Sequence, residues 1–376
     1  MTEWKSYKLA DVCSRLRSGK TISATSVSPN GKYAVIGGNG VRGYTEKSNF
    51  KGQCVVVGRQ GAYCGNVRYF DGEFYMTEHA VVIVGNEYAN THYLAYLLST
   101  MELGHLSAQS AQPGLSIQTL SKLDIYLPPL SQQQRIVDLL GALDHKIEIN
   151  RRINDNLEQQ AQALYKSWFI DNYQTEWPEY SLDEVTLKIT DGVHNTVIDT
   201  PNGEYYLLSC KNIKNRRLNM SSSDRRIDEG TFNKLRKRTM LSKGDILLSS
   251  VGTIGELMLL NDDPHNYEFQ RSVAIIKPNP VYISSYYLYE TLISQIDKIT
   301  NTAHGAVQQC IFLSDLKEYT INIADKALKS RYDIIVKPFF DEITKREKEI
   351  ARLTSLRDSL LPKLMSGELK INEIDC

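Results

Sequence analysis

The chain has 376 residues, of which 41% are hydrophobic and 23% are charged, as is typical of a soluble globular protein with two or three domains. The 44 Lys and Arg residues balance the 44 Asp and Glu residues, so the net charge favours neither an acidic nor a basic partner. There is no apolar run of membrane-spanning length and the first ten residues are polar, so we expect neither membrane insertion nor export. The six cysteines form no C-x-x-C pair, which predicts no metal site and no disulfide framework and favours a reducing cytoplasm.

The first motif along the chain is GNGVRG at residues 38–43, which fits the G-x-G-x-x-G pattern of dinucleotide sites. That pattern needs a helix directly after it, because the helix N-terminus binds the pyrophosphate. Here the following stretch, YTEKSNFKGQ, has no helical periodicity, and the next apolar run, CVVVG, reads as a strand. No acidic residue stands about 20 residues on to bind a ribose. The motif therefore predicts a glycine-rich loop between two strands, and we expect no bound cofactor.

Positive charge is concentrated in two segments. Residues 1–52 hold nine Lys and Arg against three acids, and residues 205–244 hold eleven against three. One such cluster is usually a solvated face, but two at matching places suggest contact with a polyanion.

A long helix is predicted at residues 131–169, after the proline pair of LPPLSQQQR, with Ser131 and Gln134 as a capping box. Its apolar residues recur every three or four positions, and a second series follows 196 residues later. Sustained over four heptads, this spacing predicts a coiled coil, in which Asn150, Asn154, Arg346 and Arg357 are polar positions that fix the register. The predicted seam comprises Leu140, Leu143, Ile147, Leu157 and Leu164 in the first helix and Phe339, Ile343, Ile350, Leu353 and Leu360 in the second.

The chain also resembles itself at an offset of about half its length. WKSYKLADV from Trp4 matches WPEYSLDEV from Trp177, and LSKLDIYLP from Leu120 matches LSDLKEYTI from Leu313. The offset grows from 173 to 193, so the second copy carries about 20 extra residues, around the segment that begins SCKNIKNRR. We therefore predict an α+β protein made of two mixed α/β domains related by duplication, at residues 1–130 and 173–330. Two long helices, at 131–172 and 331–376, join them and pair antiparallel, which would hold the domains apart.

No catalytic motif is present: G-x-S-x-G, H-E-x-x-H, Walker A and EF-hand patterns are absent, as is the Asn/Asp-Pro-Pro-aromatic tetrapeptide of amino-methyltransferases. Each copy instead carries loops rich in Arg, Lys, Asn, Gln, Thr and Tyr beside glycine, the residue types that contact DNA phosphates and base edges. The candidates are Lys20, Arg42, Tyr44, Arg59, Tyr63 and Gln112 in the first copy, and Lys211, Asn212, Arg216, Arg217, Thr253, Arg271, His304 and Gln308 in the second.

Over nearly its whole length the chain resembles the specificity subunits of type I restriction-modification systems. The resemblance depends on QPGLSIQTLSKLDIYLPPLSQQQRIVDLL at residues 112–140 and on LTSLRDSLLPKLMSGEL at 353–369; the second copy lacks the Pro-Pro-Leu-Ser-Gln-Gln run. It implies two target-recognition domains that each read half of an asymmetric bipartite DNA site. It also implies a chain without catalytic activity that binds two modification (methyltransferase) subunits and, in the full complex, a restriction subunit. S-adenosylmethionine and ATP would then belong to those partners.

Two alternatives remain open at this point. The chain could be part of a fused restriction-methylation enzyme, which would need catalytic motifs that the sequence lacks. It could also be a free-standing coiled-coil scaffold that binds DNA without sequence preference, in which case its binding would depend only on salt.

Overall fold

A computed structural model describes residues 4–107, 114–194, 196–305 and 309–371. The chain divides into two compact units, Met1–Glu148 with Ile350–Cys376, and Ile149–Glu349. Each unit holds one set of strands, together with part of each of two long helices. We call the strand-rich segments the first repeat (residues 5–127) and the second repeat (residues 179–322).

Outside residues 108–113, which the structure does not describe, the first repeat contains eight strands and two short α-helices. They are β1 (Lys5–Lys8), β2 (Cys13–Ser18), β3 (Tyr33–Gly37), β4 (Gly40–Thr45), β5 (Phe50–Gly58), β6 (Val67–Met76), β7 (Ala80–Gly85), α1 (Thr91–Ser99), α2 (Ile117–Ser121) and β8 (Asp124–Leu127).

Six of these strands form one sheet in the order β2-β7-β5-β6-β3-β4, in which only β3 and β6 are parallel. Strands β5 and β7 contain runs of valine, since both faces of the sheet are covered at this point. On one face Val55 packs in a core with Tyr93 and Leu98 of α1, and on the other Val56 packs with Met76. The strands β1 and β8 pair separately, with Lys5 opposite Leu127.

The glycine motif forms the hairpin between β3 and β4. Gly37 lies opposite Gly40, which leaves Gly38 and Asn39 as a two-residue loop. Strand β4 follows directly, so the motif has no helix at which a pyrophosphate could bind. The prediction of a glycine-rich loop between two strands is confirmed.

The second repeat has more elements than the first. They are β9 (Glu179–Ser181), α4 (Leu182–Val185), β10 (Thr186–Asp191), β11 (Tyr205–Leu208), β12 (Ile213–Lys214), β13 (Arg217–Leu218), β14 (Arg226–Ile227), α5 (Glu229–Thr239), β15 (Ile246–Ser249), β16 (Leu257–Leu259), β17 (Tyr267–Phe269), β18 (Val273–Pro278), α6 (Ser285–Ser294), α7 (Ile296–Thr300), α8 (Leu313–Glu318) and β19 (Thr320–Asn322).

The two repeats share one topology. The order β10-β18-β15-β16 matches β2-β7-β5-β6, and β11 pairs in parallel with β17 as β3 does with β6. The turns after β5 and β15 also match, because Gly61 and Gly65 have φ values of 74° and 82°, and Gly252 and Gly255 have values of 85° and 91°. The predicted duplication and the α+β fold class are confirmed.

The extra residues of the second repeat lie where the sequence offset predicts them. The β12-β13 hairpin, β14 and helix α5 all fall between β11 and β15. In the first repeat, the equivalent stretch between β3 and β5 holds only β4 and a short loop.

Two long helices complete the chain, α3 (Leu130–Tyr165) and α9 (Lys326–Ser366). Helix α3 begins one residue before the predicted start and continues into a π-helical turn at Lys166–Ile170. The predicted capping box is not formed, because the Gln134 side chain instead hydrogen bonds with Asn90 and Asp138. Helix α9 begins five residues earlier than predicted, since Asp325 Oδ1 accepts a hydrogen bond from the Leu328 amide and so caps the first turn.

The helices are antiparallel in each unit. In one unit the Arg357 guanidinium donates to Asp144 over 2.8 Å, while Leu140 shares a core with Leu364. In the other, Arg346 donates to Asn150 over 2.9 Å and the Tyr332 hydroxyl donates to the Ala161 carbonyl over 3.2 Å. Of the predicted seam residues, Leu140, Ile147, Ile343 and Leu353 are buried and Leu143, Leu157, Leu164, Phe339, Ile350 and Leu360 are half-buried.

Candidate nucleic-acid interface

At one end of the first sheet, turns distant in sequence come together. The Arg59 amide donates to the carbonyl of His79, and the Lys20 amide donates to that of Met76. The tip of the β3-β4 hairpin reaches the same place, since a Cβ added at Gly38 would lie 3.1 Å from Gly58 Cα. We call this surface the first loop end; it comprises residues 19–20, 37–42, 59–65 and 77–79.

Four predicted DNA-contacting residues lie in the first loop end. Lys20 and Arg42 are exposed, Arg59 is half-buried and Tyr63 is 55% exposed. Within the described ranges, no carboxylate forms an ion pair with Lys20, Arg42 or Arg59. Backbone contacts position these side chains, while their charges remain available to a polyanion.

Two further predicted residues of the first copy do not belong to this surface. Tyr44 lies further along β4, where its backbone bonds with that of Ser28, and its ring is 37% exposed. Gln112 lies outside the described residues.

The second repeat forms an equivalent surface. The Ser250 amide donates to the carbonyl of Ser272, and the Ile311 amide donates to that of Ser250. The backbones of His304 and Cys310 bond reciprocally. We call this surface the second loop end; it comprises residues 192–194, 209–212, 250–255, 270–272, 304–305 and 310.

Lys211, Thr253, Arg271 and His304 all lie in the second loop end and are exposed. Two of them are paired with acids: Lys211 Nζ lies 3.0 Å from Asp224, and His304 Nε2 lies 3.1 Å from Asp315. The His304 ring also stacks on Phe312 at a centroid distance of 5.2 Å. Gln308 is outside the part of the chain that the structure describes.

Three other predicted residues of the second copy make contacts within the protein. Asn212 is only 3% exposed, and its amide group donates to Asp224 and to the Asn219 carbonyl. Arg216 and Arg217 leave the β12-β13 turn toward the long helices. Arg217 lies 2.7 Å from Asp155 of α3, and Arg216 lies 4.0 Å from Glu158.

Of the acids that receive this hairpin, Glu158 is only 15% exposed, whereas Asp155 and Glu347 are 58% and 44% exposed. Arg217 also lies 3.7 Å from Glu158 and 3.8 Å from Glu347 of α9. Burial raises the pKa of Glu158 to about 7, although the charges of Arg217 and Arg216 oppose that shift. Burial likewise raises the pKa of Glu290 on α6 to about 8, against the opposing charge of Arg216. Arginine and buried carboxylate therefore form one cluster that attaches the hairpin to the helices.

Sequence reasoning missed one exposed cation near the first loop end. Arg68 is the second residue of β6, and its guanidinium donates to Asn39 Oδ1 at the hairpin tip over 3.3 Å. Arg68 stands outside both basic clusters. The available signal was its position on a strand between Val67 and Tyr69, which are half-buried and face the other side of the sheet.

The described residues include no group of three or more His, Cys, Asp or Glu side chains placed to bind a metal ion. Among the helices that the structure describes, none has both the length and the apolar character needed to cross a bilayer.

Comparison with known proteins gives consistent results. Residues 1–159 match the family model described as the type I restriction modification DNA specificity domain. The chain is 37% identical to the Escherichia coli type I restriction enzyme EcoprrI specificity subunit over 134 residues, which is 35% of this chain and 33% of that protein. It is 26% identical to the Methanocaldococcus jannaschii MjaIX specificity subunit over 306 residues, 76% of this chain and 70% of the relative.

The fold is similar to that of a solved structure over nearly the whole length of both chains. The S subunit of a type I restriction-modification system from M. genitalium aligns with a TM-score of 0.60 and 18% identity, covering 96% of each chain. At this identity the likeness establishes the fold.

Proposed function

We propose that this chain, which belongs to the family of type I restriction-modification specificity subunits, recognises an asymmetric DNA site in two halves. Each loop end contacts one half-site. The observation that carries this proposal is that two repeats with the same topology present loop ends with different side chains. The first loop end has Lys20, Arg42, Arg59 and Tyr63, whereas the second has Lys211, Thr253, Arg271 and His304.

The residue types at these surfaces fit both parts of DNA recognition. Arg and Lys side chains neutralise phosphates, while Arg, Thr and His hydrogen bond with base edges in the major groove. Because the two surfaces differ in nearly every side chain, the two half-sites differ in sequence. Arg216 and Arg217 serve instead to attach the β12-β13 hairpin to the helices.

The chain acts without catalysing a reaction itself, as the absence of catalytic motifs predicts. Modification subunits supply methyl transfer, and a restriction subunit supplies cleavage in the full complex. This assembly operates in the cytoplasm, with DNA as its substrate.

Two modification subunits bind, one to each repeat. An equivalent pair of partly exposed tyrosines supports this stoichiometry. Tyr7 and Tyr88 lie with ring centroids 5.8 Å apart, and Tyr180 and Tyr282 lie 6.4 Å apart. Tyr88 and Tyr282 are 50% and 47% exposed, so each repeat presents a similar aromatic surface to a partner.

The test is to map DNA methylation in a host that expresses the modification subunit with the wild-type chain, with Arg59→Ala, or with Arg271→Ala. We expect a bipartite motif in which Arg59→Ala relaxes one half and Arg271→Ala the other, at a cost of about 1 to 3 kcal/mol per lost base contact. The purified chain alone should neither cut nor methylate DNA. Methyl transfer by the chain alone, or relaxation of the same half-site by both variants, would contradict the proposal.

A further inference from the structure

A groove lined by both polar and apolar atoms lies beside the first loop end. It has a volume of about 640 Å³ and is lined by the hairpin tip, the turn after β5, the start of β6 and the loop before residue 106. Five of its side chains have N–H or O–H groups that can donate hydrogen bonds to an anion: Asn39, Tyr63, Asn66, Arg68 and His105. The guanidinium of Arg68 is exposed, and its one described side-chain hydrogen bond is with the neutral Asn39 amide.

The shape of the groove depends on two unusual backbone positions, Gly65 and Glu102. A Cβ added at Gly65 would lie 2.3 Å from the Gly104 nitrogen, so the turn and the loop meet only because residue 65 is glycine. Glu102 adopts a left-handed conformation with φ of 46°, which is uncommon for a residue other than glycine. Backbone held in such a conformation is often found at binding sites.

Hydrogen bonds orient the arginine and the imidazole of the groove. The His105 Nδ1 lies 2.7 Å from the Glu102 carbonyl oxygen, so Nδ1 donates to that oxygen, and Nε2 can donate to a phosphate when the ring carries both protons. At the hairpin tip, Gly40 lets the backbone approach the guanidinium of Arg68, because a Cβ at that position would lie 3.3 Å from Arg68 Nη1. Both groups are therefore oriented before a ligand binds.

We propose that this groove binds the sugar-phosphate backbone of the DNA strand that flanks the first half-site. The inference rests on the proposed function. A concave surface fits the convex backbone, whereas base edges are read by side chains or elements that project into a duplex groove. Its donors, an arginine, an imidazole, two amides and a phenol, are of the types that bind phosphate oxygens. The contact anchors the first repeat without selecting a sequence.

Among its described residues, the second repeat has no cation at the position that corresponds to Arg68. Arg68 pairs with Val56 in the sheet, and the corresponding pair in the second repeat is Met258 with Leu247. Met258 is only 5% exposed and packs in an apolar core. Backbone binding by this groove is thus a property of the first repeat alone.

The main experiment measures DNA binding by the full chain with its modification subunit, on its own site and on an unrelated duplex, at several salt concentrations. With Arg68→Ala we expect about tenfold weaker binding to both duplexes at low salt. We also expect the slope of log affinity against log salt concentration to become smaller by about one. Arg68→Lys keeps the charge and should keep most of the slope. The matched control is Lys47→Ala, which removes a positive charge from the loop at the opposite end of β5 and should have little effect.

A second variant should act in the opposite direction. Glu102 is the one carboxylate among the described residues that line the groove. Glu102→Gln removes its repulsion of phosphate and should tighten binding about twofold at low salt.

Three results would overturn the proposal. Arg68→Ala could change the methylation motif at one base position, which would make Arg68 a base-reading residue. Arg68→Lys could lose as much binding as Arg68→Ala, which also indicates base reading. Arg68→Ala could match the Lys47→Ala control. If instead the wild-type complex prefers no DNA sequence, the proposed function fails independently of the groove.

Discussion

The two basic clusters lie in repeats of the same topology but differ in how many of their charges form ion pairs. In the basic cluster of residues 1–52, two of nine Lys and Arg side chains form ion pairs among the described residues, those of Lys8 and Lys51. In the cluster of residues 205–244, six of eleven do so. Much of the positive charge of the second repeat therefore stabilises the additional hairpin and helix. Counting charges along a sequence does not reveal how many are available to DNA.

The largest effect we expect comes from Arg217→Ala. It removes the guanidinium that lies 3.7 Å from Glu158 and 3.8 Å from Glu347, and should lower the free energy of unfolding by about 1 to 3 kcal/mol. Urea denaturation measures this change. Arg42→Ala, in the first repeat, is the control and should change stability by less than about 0.5 kcal/mol while weakening DNA binding. If Arg217→Ala instead left stability unchanged and relaxed one half-site, Arg217 would contact DNA.

The next effect concerns pH. It comes from equivalent positions of helices α1 and α6, six residues after the N-cap of each helix. That residue is Tyr96 in α1, where its hydroxyl donates to Asp144, and Glu290 in α6, which is only 2% exposed. The pKa of Glu290 in the folded chain, about 8, lies above that of an unfolded glutamate, so the unfolded state binds fewer protons between pH 5 and 8. Stability contributed by the protonated carboxyl is thus present at pH 5 and is lost as pH rises through 8.

Glu290→Gln should flatten this dependence, because glutamine stays neutral throughout. We expect the wild-type chain to lose at least about 1 kcal/mol more than the variant between pH 5 and 8. Thermal unfolding followed by circular dichroism at several pH values measures the difference. Tyr96→Phe, at the matching position of the first repeat, should leave the slope between pH 5 and 8 unchanged. Equal slopes for the wild type and Glu290→Gln would show that Glu290 does not titrate in this range.

The smallest effect should come from Asp315→Asn. The Asp315 carboxylate lies 3.1 Å from His304, and removing it makes the second loop end more like the first. Because His304 is 59% exposed and Asp315 is 27% exposed, we expect a gain of about 0.5 kcal/mol or less in DNA binding at low salt, declining as salt is added. Fluorescence anisotropy with labelled duplexes is sensitive enough to detect it. Weaker binding would mean that the acid positions His304 for contact.

Local and repeated patterns predicted much of the fold. The hairpin at Gly38 and Asn39 follows from glycines between two apolar runs, and the helices follow from apolar spacing sustained over many turns. The start of α9 was misplaced because the signal is a single capping residue, Asp325, without the proline pair that precedes α3. Such a cap is easily overlooked in a polar stretch.

The candidate interface was less predictable, because it depends on contacts between distant segments. Arg217 meets Asp155 and Glu347, which lie 62 and 130 positions away, and no local pattern links them. Arg68 was missed for the opposite reason: it is a lone cation in a strand, and only the fold brings it beside Asn39. Residue type predicted the chemistry of the surface, while tertiary structure determined which side chains take part.

The two-stranded sheets formed by β1 with β8 and by β9 with β19 bear on how the sequence of such a protein can evolve. Lys5 lies opposite Leu127 in β1 and β8, and Asn322 lies opposite Glu179 in β9 and β19. The chain therefore enters and leaves each repeat at neighbouring points. A segment with adjacent ends can be exchanged for another of similar fold without altering the flanking chain. Recombination at these two-stranded sheets would replace one repeat as a cassette, giving the lineage a new combination of half-sites in a single genetic event.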